Sequence, residues 1–193
     1  MTKNPYIPLL TVLTLLYSGG ALAHPGHDVS GLSAGLIHPL NGIDHLLAML
    51  AVGLWAAQNR GRKIWILPTA FILMMVVGAK FALIYPFMPL IESGIAASVV
   101  ALGVIIALSL RPSTRLSIVI ASLFGLFHGY AHGLEMLGIN EVQGYALGFV
   151  VTTAALHLAG IVTVIATRTR FVKIPQMLGG IITVSGVWLL SVT

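Results

Sequence analysis

VQGYALGFVVTTAALHLAGIVTVIAT, residues 142–167, contains no lysine, arginine, aspartate or glutamate, and Arg168, Arg170 and Lys173 follow it. A helix needs about 20 apolar residues to cross the hydrocarbon core of a bilayer, so this run spans one with residues to spare. The basic cluster behind it is what the cytoplasmic end of a span carries. Working outward in both directions, five more apolar segments have the same character. The chain is predicted to cross the membrane near 31–57, 64–80, 91–110, 116–135, 142–167 and 174–192. Composition agrees: hydrophobic residues make up 58% of the 193 and charged residues 8%, against about 25% charged in a soluble domain whose surface must be wetted. The expected fold is therefore an all-α membrane protein with six transmembrane helices.

The connections orient it. Arg60, Arg62 and Lys63, then Arg111 and Arg115, then Arg168, Arg170 and Lys173 occupy alternate loops, while the opposite side has only Lys80. The positive-inside rule places the basic loops in the cytoplasm and both mature termini in the periplasm, in the cytoplasmic (inner) membrane. The N-terminus agrees independently. Lys3, an apolar stretch from Ile7 to Tyr17 and Ala21-Leu22-Ala23 have the order of a secretory signal peptide with an A-x-A site. Residues 1–23 are then the signal, His24 the mature N-terminus, and 24–193 a single six-helix domain. The other reading is an uncleaved anchor, for which the apolar run is short. The net charge of +5 is scattered between apolar runs, which suits a membrane leaflet rather than nucleic acid. Cysteine is absent, so a metal must be held by nitrogen, carboxylate or thioether. Gly35-Leu36-Ile37-His38 and Gly125-Leu126-Phe127-His128 share three of four residues. Either this marks a duplication with three helices per half and inverted topology, or it is coincidence.

Ionisable residues within apolar spans are costly and mark a functional pathway. Here they are His38, Asp44, His45, His128, His132 and His157. At 3.6 residues per turn, His128, His132 and Glu135 share one helix face. Two imidazoles one turn apart can hold one metal ion, and Glu135 can complete the shell or orient a ligand. Gly125, Gly129 and Gly133 form a neighbouring stripe that lets a second helix approach. In the first span His38 and His45 are seven apart and share a face, which Met49 continues as a core side chain or a soft thioether. Asp44 points elsewhere on an ideal helix. Pro39 and Gly42 argue against an ideal helix, and a break there turns Asp44 inward as ligand or as partner of a ligand. Depth along the spans gives an order, with Glu135 near the outer surface and His132 and His38 about 9 Å outside the midplane. His128, Asp44 and His45 follow near the middle, and His157 lies slightly further in, as a path residue or as a structural histidine bonded to a backbone carbonyl. His24-Pro25-Gly26-His27-Asp28 either collects metal at the mouth through His24 and His27 or is simply solvated.

His38-Pro39-x2-Gly42-x-Asp44-His45 and Phe127-His128-Gly129-Tyr130-Ala131-His132-Gly133-Leu134-Glu135 resemble the two signatures of the HupE/UreJ family of hydrogenase- and urease-associated metal permeases. The resemblance runs over the signal peptide, the histidine-rich start and the six spans. It implies uptake of nickel, or of cobalt in some members, with His38, Asp44, His45, His128, His132 and Glu135 as ligands. It further implies a link to hydrogenase, urease or cobalamin maturation. His157 is added from depth and chemistry alone. No nucleotide-binding motif is present, so the expectation is an ATP-independent permease rather than an enzyme. Its partners are then a divalent transition-metal ion and the bilayer, with Ni2+ or Co2+ as cargo and no cofactor. The alternative is an intramembrane zinc-type hydrolase, in which histidines and a carboxylate around an open metal position activate water.

Overall fold

The computed structural model describes residues 31–59, 64–169 and 171–193, and every regular element among them is a helix. The expected signal peptide, His24 and His27 lie outside the described residues. In chain order the helices are α1 (Gly31–Asn41), α2 (Ile43–Gln58), α3 (Ile66–Ile84), α4 (Ile91–Ala107), α5 (Thr114–Met136), α6 (Val142–Thr167) and α7 (Ile174–Val192). Four of them, α3, α5, α6 and α7, are long and apolar enough to cross a membrane. The apolar helix α4 is shorter, at 17 residues, and α1 with α2 passes only as a pair bent by 82°.

That bend is the break to which Pro39 and Gly42 pointed within the segment expected over 31–57. Pro39 sits inside α1 and has no N–H to continue the ladder. The chain breaks three residues later at Gly42, which is extended (φ −89°, ψ 113°) and caps α2. The Gly42 carbonyl accepts from Leu46 N at 2.9 Å, and α2 starts from there. Space also favours glycine at this corner. A Cβ on Gly42 would stand 2.9 Å from Asp44 Oδ1 and 3.0 Å from His45 Nδ1.

The helices associate in three sets: α1 and α2 against α6, α3 against α5, and α4 against α7. Small residues make these contacts intimate, as membrane helices require when lipid and side chain are equally apolar. Gly125, Gly129 and Gly133 of α5 lie directly on the backbone of Phe71, Met75 and Ala79 of α3, so that a Cβ at any of them would overlap the facing carbonyl. The stripe read from the sequence therefore serves packing. Gly35 of α1 meets Tyr145 of α6 in the same way. With α1 and α2 taken as one segment, the described residues form two runs of three segments. Exchanging the runs carries the first set onto the second and the third onto itself. Gly35 and Gly125, from the two similar tetrapeptides, make corresponding contacts.

Trp55, Phe71, Leu102, Ile106 and Phe149 fill the centre. The outer faces carry Leu73, Val119, Leu147, Val162, Ile181 and Val184 exposed, an apolar coat that water does not tolerate at this extent and lipid does. At one end Gln58, Arg111 and Arg168, which close α2 or follow α4 and α6, line a common cleft. The alternate connections thus share a face.

Candidate metal site

The bend at Gly42 folds α1 back so that His38 stands over the first turn of α2. His38 and His45 therefore converge from two helices rather than along one face. Their ring centroids are 6.0 Å apart. His132 of α5 closes the group, 4.9 Å from His38 and 4.3 Å from His45. One ligand nitrogen from each of these three histidines lies within 4.8 Å of the others. His128, one turn earlier on α5, adjoins His45 at 5.4 Å. The two levels expected about 9 Å apart from helical rise are thus drawn together into one cluster, because the bend removes most of the rise between His38 and His45.

The carboxylates stand behind the rings. Asp44 Oδ1 accepts from the His45 backbone N–H at 2.8 Å and lies 2.6 Å from His45 Nδ1. Glu135 Oε2 lies 2.9 Å from His132 Nδ1 and 3.0 Å from His38 Nε2, and accepts from the Tyr145 hydroxyl at 3.1 Å. His128 Nδ1 lies 2.9 Å from the Phe124 carbonyl. A carbonyl oxygen only accepts, so this nitrogen carries the proton and Nε2 carries the lone pair. An ionised carboxylate selects the same tautomer in His45 and His132. The Nε2 atoms of His45, His128 and His132 are buried and have no hydrogen-bond partner among the described residues.

An unpaired buried polar atom costs about 1–3 kcal/mol. Three such atoms in one cluster call for a chemical explanation rather than a packing one. A ring whose Nδ1–H is anchored to a carboxylate or carbonyl, with Nε2 left bare, is the arrangement that metal-binding imidazole adopts. The six side chains singled out in the sequence therefore divide by position. The imidazoles offer nitrogen to the cluster, and Asp44 and Glu135 orient them. Glu135 also reaches His38 Nε2, so a cation taking that nitrogen competes with this contact.

His157 stands apart from the cluster. Its Nδ1 lies 2.7 Å from the Met49 carbonyl, which is the backbone bond expected of a structural histidine, yet its Nε2 is also buried without a partner among the described residues. Sequence reasoning missed the aromatic side chains that frame the site. Tyr145 holds Glu135, Phe149 packs at 3.8 Å between ring centroids on His132, and Phe71 touches both His128 and His157. Aromatic residues in apolar spans look like core. The available signal was Tyr145 and Phe149 one turn apart on one face of α6.

A family model described as HupE / UreJ protein matches residues 12–189 of the chain. Protein HupE of Rhizobium leguminosarum bv. viciae is 35% identical over 184 residues, covering 93% of this chain and 95% of that protein. No solved structure matches.

Proposed function

The chain belongs to the HupE/UreJ family, and on that premise we propose that it is an ATP-independent permease importing Ni2+ or Co2+ across the cytoplasmic membrane. The observation that carries this reading is the convergence of His38, His45 and His132 from three helices, with ligand nitrogens within 4.8 Å. Imidazole suits nickel and cobalt, which are borderline cations. His38, His45, His128 and His132 are the ligands in this proposal, and Asp44 and Glu135 orient them and offset the charge of a divalent ion. Exposure orders the path. The side chains of Glu135 and His38 are 42% and 32% exposed, His132 is 1% and His128 0%. Metal enters at the Glu135 end and passes inward, and the basic loops put that end in the periplasm.

The six-span topology, with α1–α2 as a broken first span and α4 as the third, belongs to this proposal, as do the cleaved signal and the periplasmic termini. So do His24 and His27 as collectors at the mouth. A broken helix is at home here, since irregular backbone at membrane depth is tolerated where it lines a site. Transport needs binding weak enough to release the ion, and a few imidazoles sharing one space meet that need better than a closed cage. Supply of metal to hydrogenase, urease or cobalamin maturation is the physiological role that fits. The comparisons give the zinc-type hydrolase no support.

The test is uptake by the full chain reconstituted in liposomes, beside a His128→Ala/His132→Ala variant. The intact protein should admit Ni2+ or Co2+ and the variant should not. No entry into wild-type vesicles refutes the permease. Unchanged entry in the double variant refutes the choice of site.

A further inference from the structure

One buried histidine is not used by the cluster. His157 is 1% exposed on α6. Its Nδ1 donates to the Met49 carbonyl at 2.7 Å, which fixes the tautomer and leaves the lone pair on Nε2. That nitrogen is buried with no partner among the described residues. Were packing the whole role, an apolar ring would fill the space without desolvating a nitrogen. One turn before it, on the same face of α6, stands Thr153, itself fully buried. The Thr153 hydroxyl lies 3.2 Å from Met49 Sδ and 3.8 Å from Met75 Sδ. Two thioethers, from α2 and α3, therefore meet at one point of α6. Met49 ties the group together, its sulfur at Thr153 and its carbonyl at His157. Met49 and Met75 are 0% and 2% exposed. The group adjoins the cluster, because the Phe71 ring is 5.4 Å from His128 and 5.2 Å from His157.

We propose that His157 Nε2 with the thioethers of Met49 and Met75 forms a second, inner metal site, which receives the cation after His128. Its role in transport rests on the permease reading above; its existence is a matter of binding and is tested as such. The ligand chemistry differs from that of the outer cluster. It has no carboxylate and mixes imidazole with soft sulfur, so it holds a divalent nickel or cobalt ion less tightly than the outer site and favours the softer cation. A weak neutral station below a stronger one is what onward movement requires.

The probe is Ni2+ or Co2+ itself, bound to the purified full chain in detergent and counted by equilibrium dialysis, with X-ray absorption reporting the scatterers around the metal. Wild type should bind two ions per chain and show a sulfur shell. His45→Ala/His132→Ala should keep one ion, with sulfur. His157→Asn, whose amide still donates to the Met49 carbonyl, should keep one ion with nitrogen and oxygen only. Met49→Leu/Met75→Leu, which nearly conserves core volume, should do the same and guards against misfolding of the histidine variant. A single ion per wild-type chain with no sulfur shell overturns the inner site and leaves the permease standing. Unchanged binding in both the His157 and the methionine variants also overturns it. No binding by wild type overturns the inner site together with the reading beneath it.

Discussion

His45, His128, His132 and His157 are each set by a contact at Nδ1, and His38 by one at Nε2, and the consequences are local. Asp44 acts through His45, so Asp44→Asn should leave the chain inserted and lower Ni2+ affinity about 10- to 100-fold, the usual effect of losing a partner behind a metal-binding histidine. Titration calorimetry of the purified variant checks this, and wild-type affinity would make the contact incidental. Tyr145 acts one step further out. Tyr145→Phe keeps the ring packed on Phe149 and removes one donor to Glu135 Oε2. Losing the partner behind a metal-binding histidine lowers affinity about 10- to 100-fold, and Tyr145 stands one contact further back, so affinity should fall by about tenfold at most. Residue identity and helical spacing were enough to single out His128, His132 and Glu135 in the sequence. The tautomers were not legible there, because they depend on Phe124, Met49 and the two carboxylates in folded positions.

Among the elements, α1 and α2 decide the site. Pro39 and Gly42 announced an interrupted helix, but the 82° angle depends on where α1 docks on α6. Gly31 N–H donates to Glu141 Oε2 at 2.8 Å, and Thr152 donates to the Leu36 carbonyl at 2.8 Å. Both contacts cross more than a hundred residues of chain, which no local pattern reveals. Gly42→Ala separates the two roles of that corner. Its dihedrals suit alanine, so the backbone is unstrained, but the added methyl presses on Asp44 and His45. Metal affinity should drop while the unfolding temperature stays near wild type. Gly129→Val should do the reverse kind of damage. Its side chain would overlap the Met75 carbonyl and drive α3 from α5, with overpacking costs of about 1–3 kcal/mol read as a lower unfolding temperature in detergent.

Over the whole molecule, the histidine cluster lies between two tightly packed sets. His38 and His45 come with α1, α2 and α6; His128, His132 and Glu135 come with α3 and α5. Between α3 and α6 an apolar cleft of about 190 Å³ reaches His132, so the sets abut loosely there. A cation held by both should brace them. Saturating Ni2+, at about 100 times its dissociation constant, should stabilise the fold by about 2.7 kcal/mol and raise the unfolding temperature. His45→Ala/His132→Ala should show a smaller rise, from the inner site alone. Composition and apolar run lengths by themselves determined that this is a helical protein with membrane-long segments, since hydrophobic transfer depends on residue type and count. They also placed five later helices to within a few residues. Only the tertiary structure decided which helices pair, how far the first segment bends and which nitrogens face one another. Those outcomes depend on backbone contacts between residues far apart in the chain, where the absence of a Cβ at Gly35, Gly125 or Gly129 matters only once its partner helix is known.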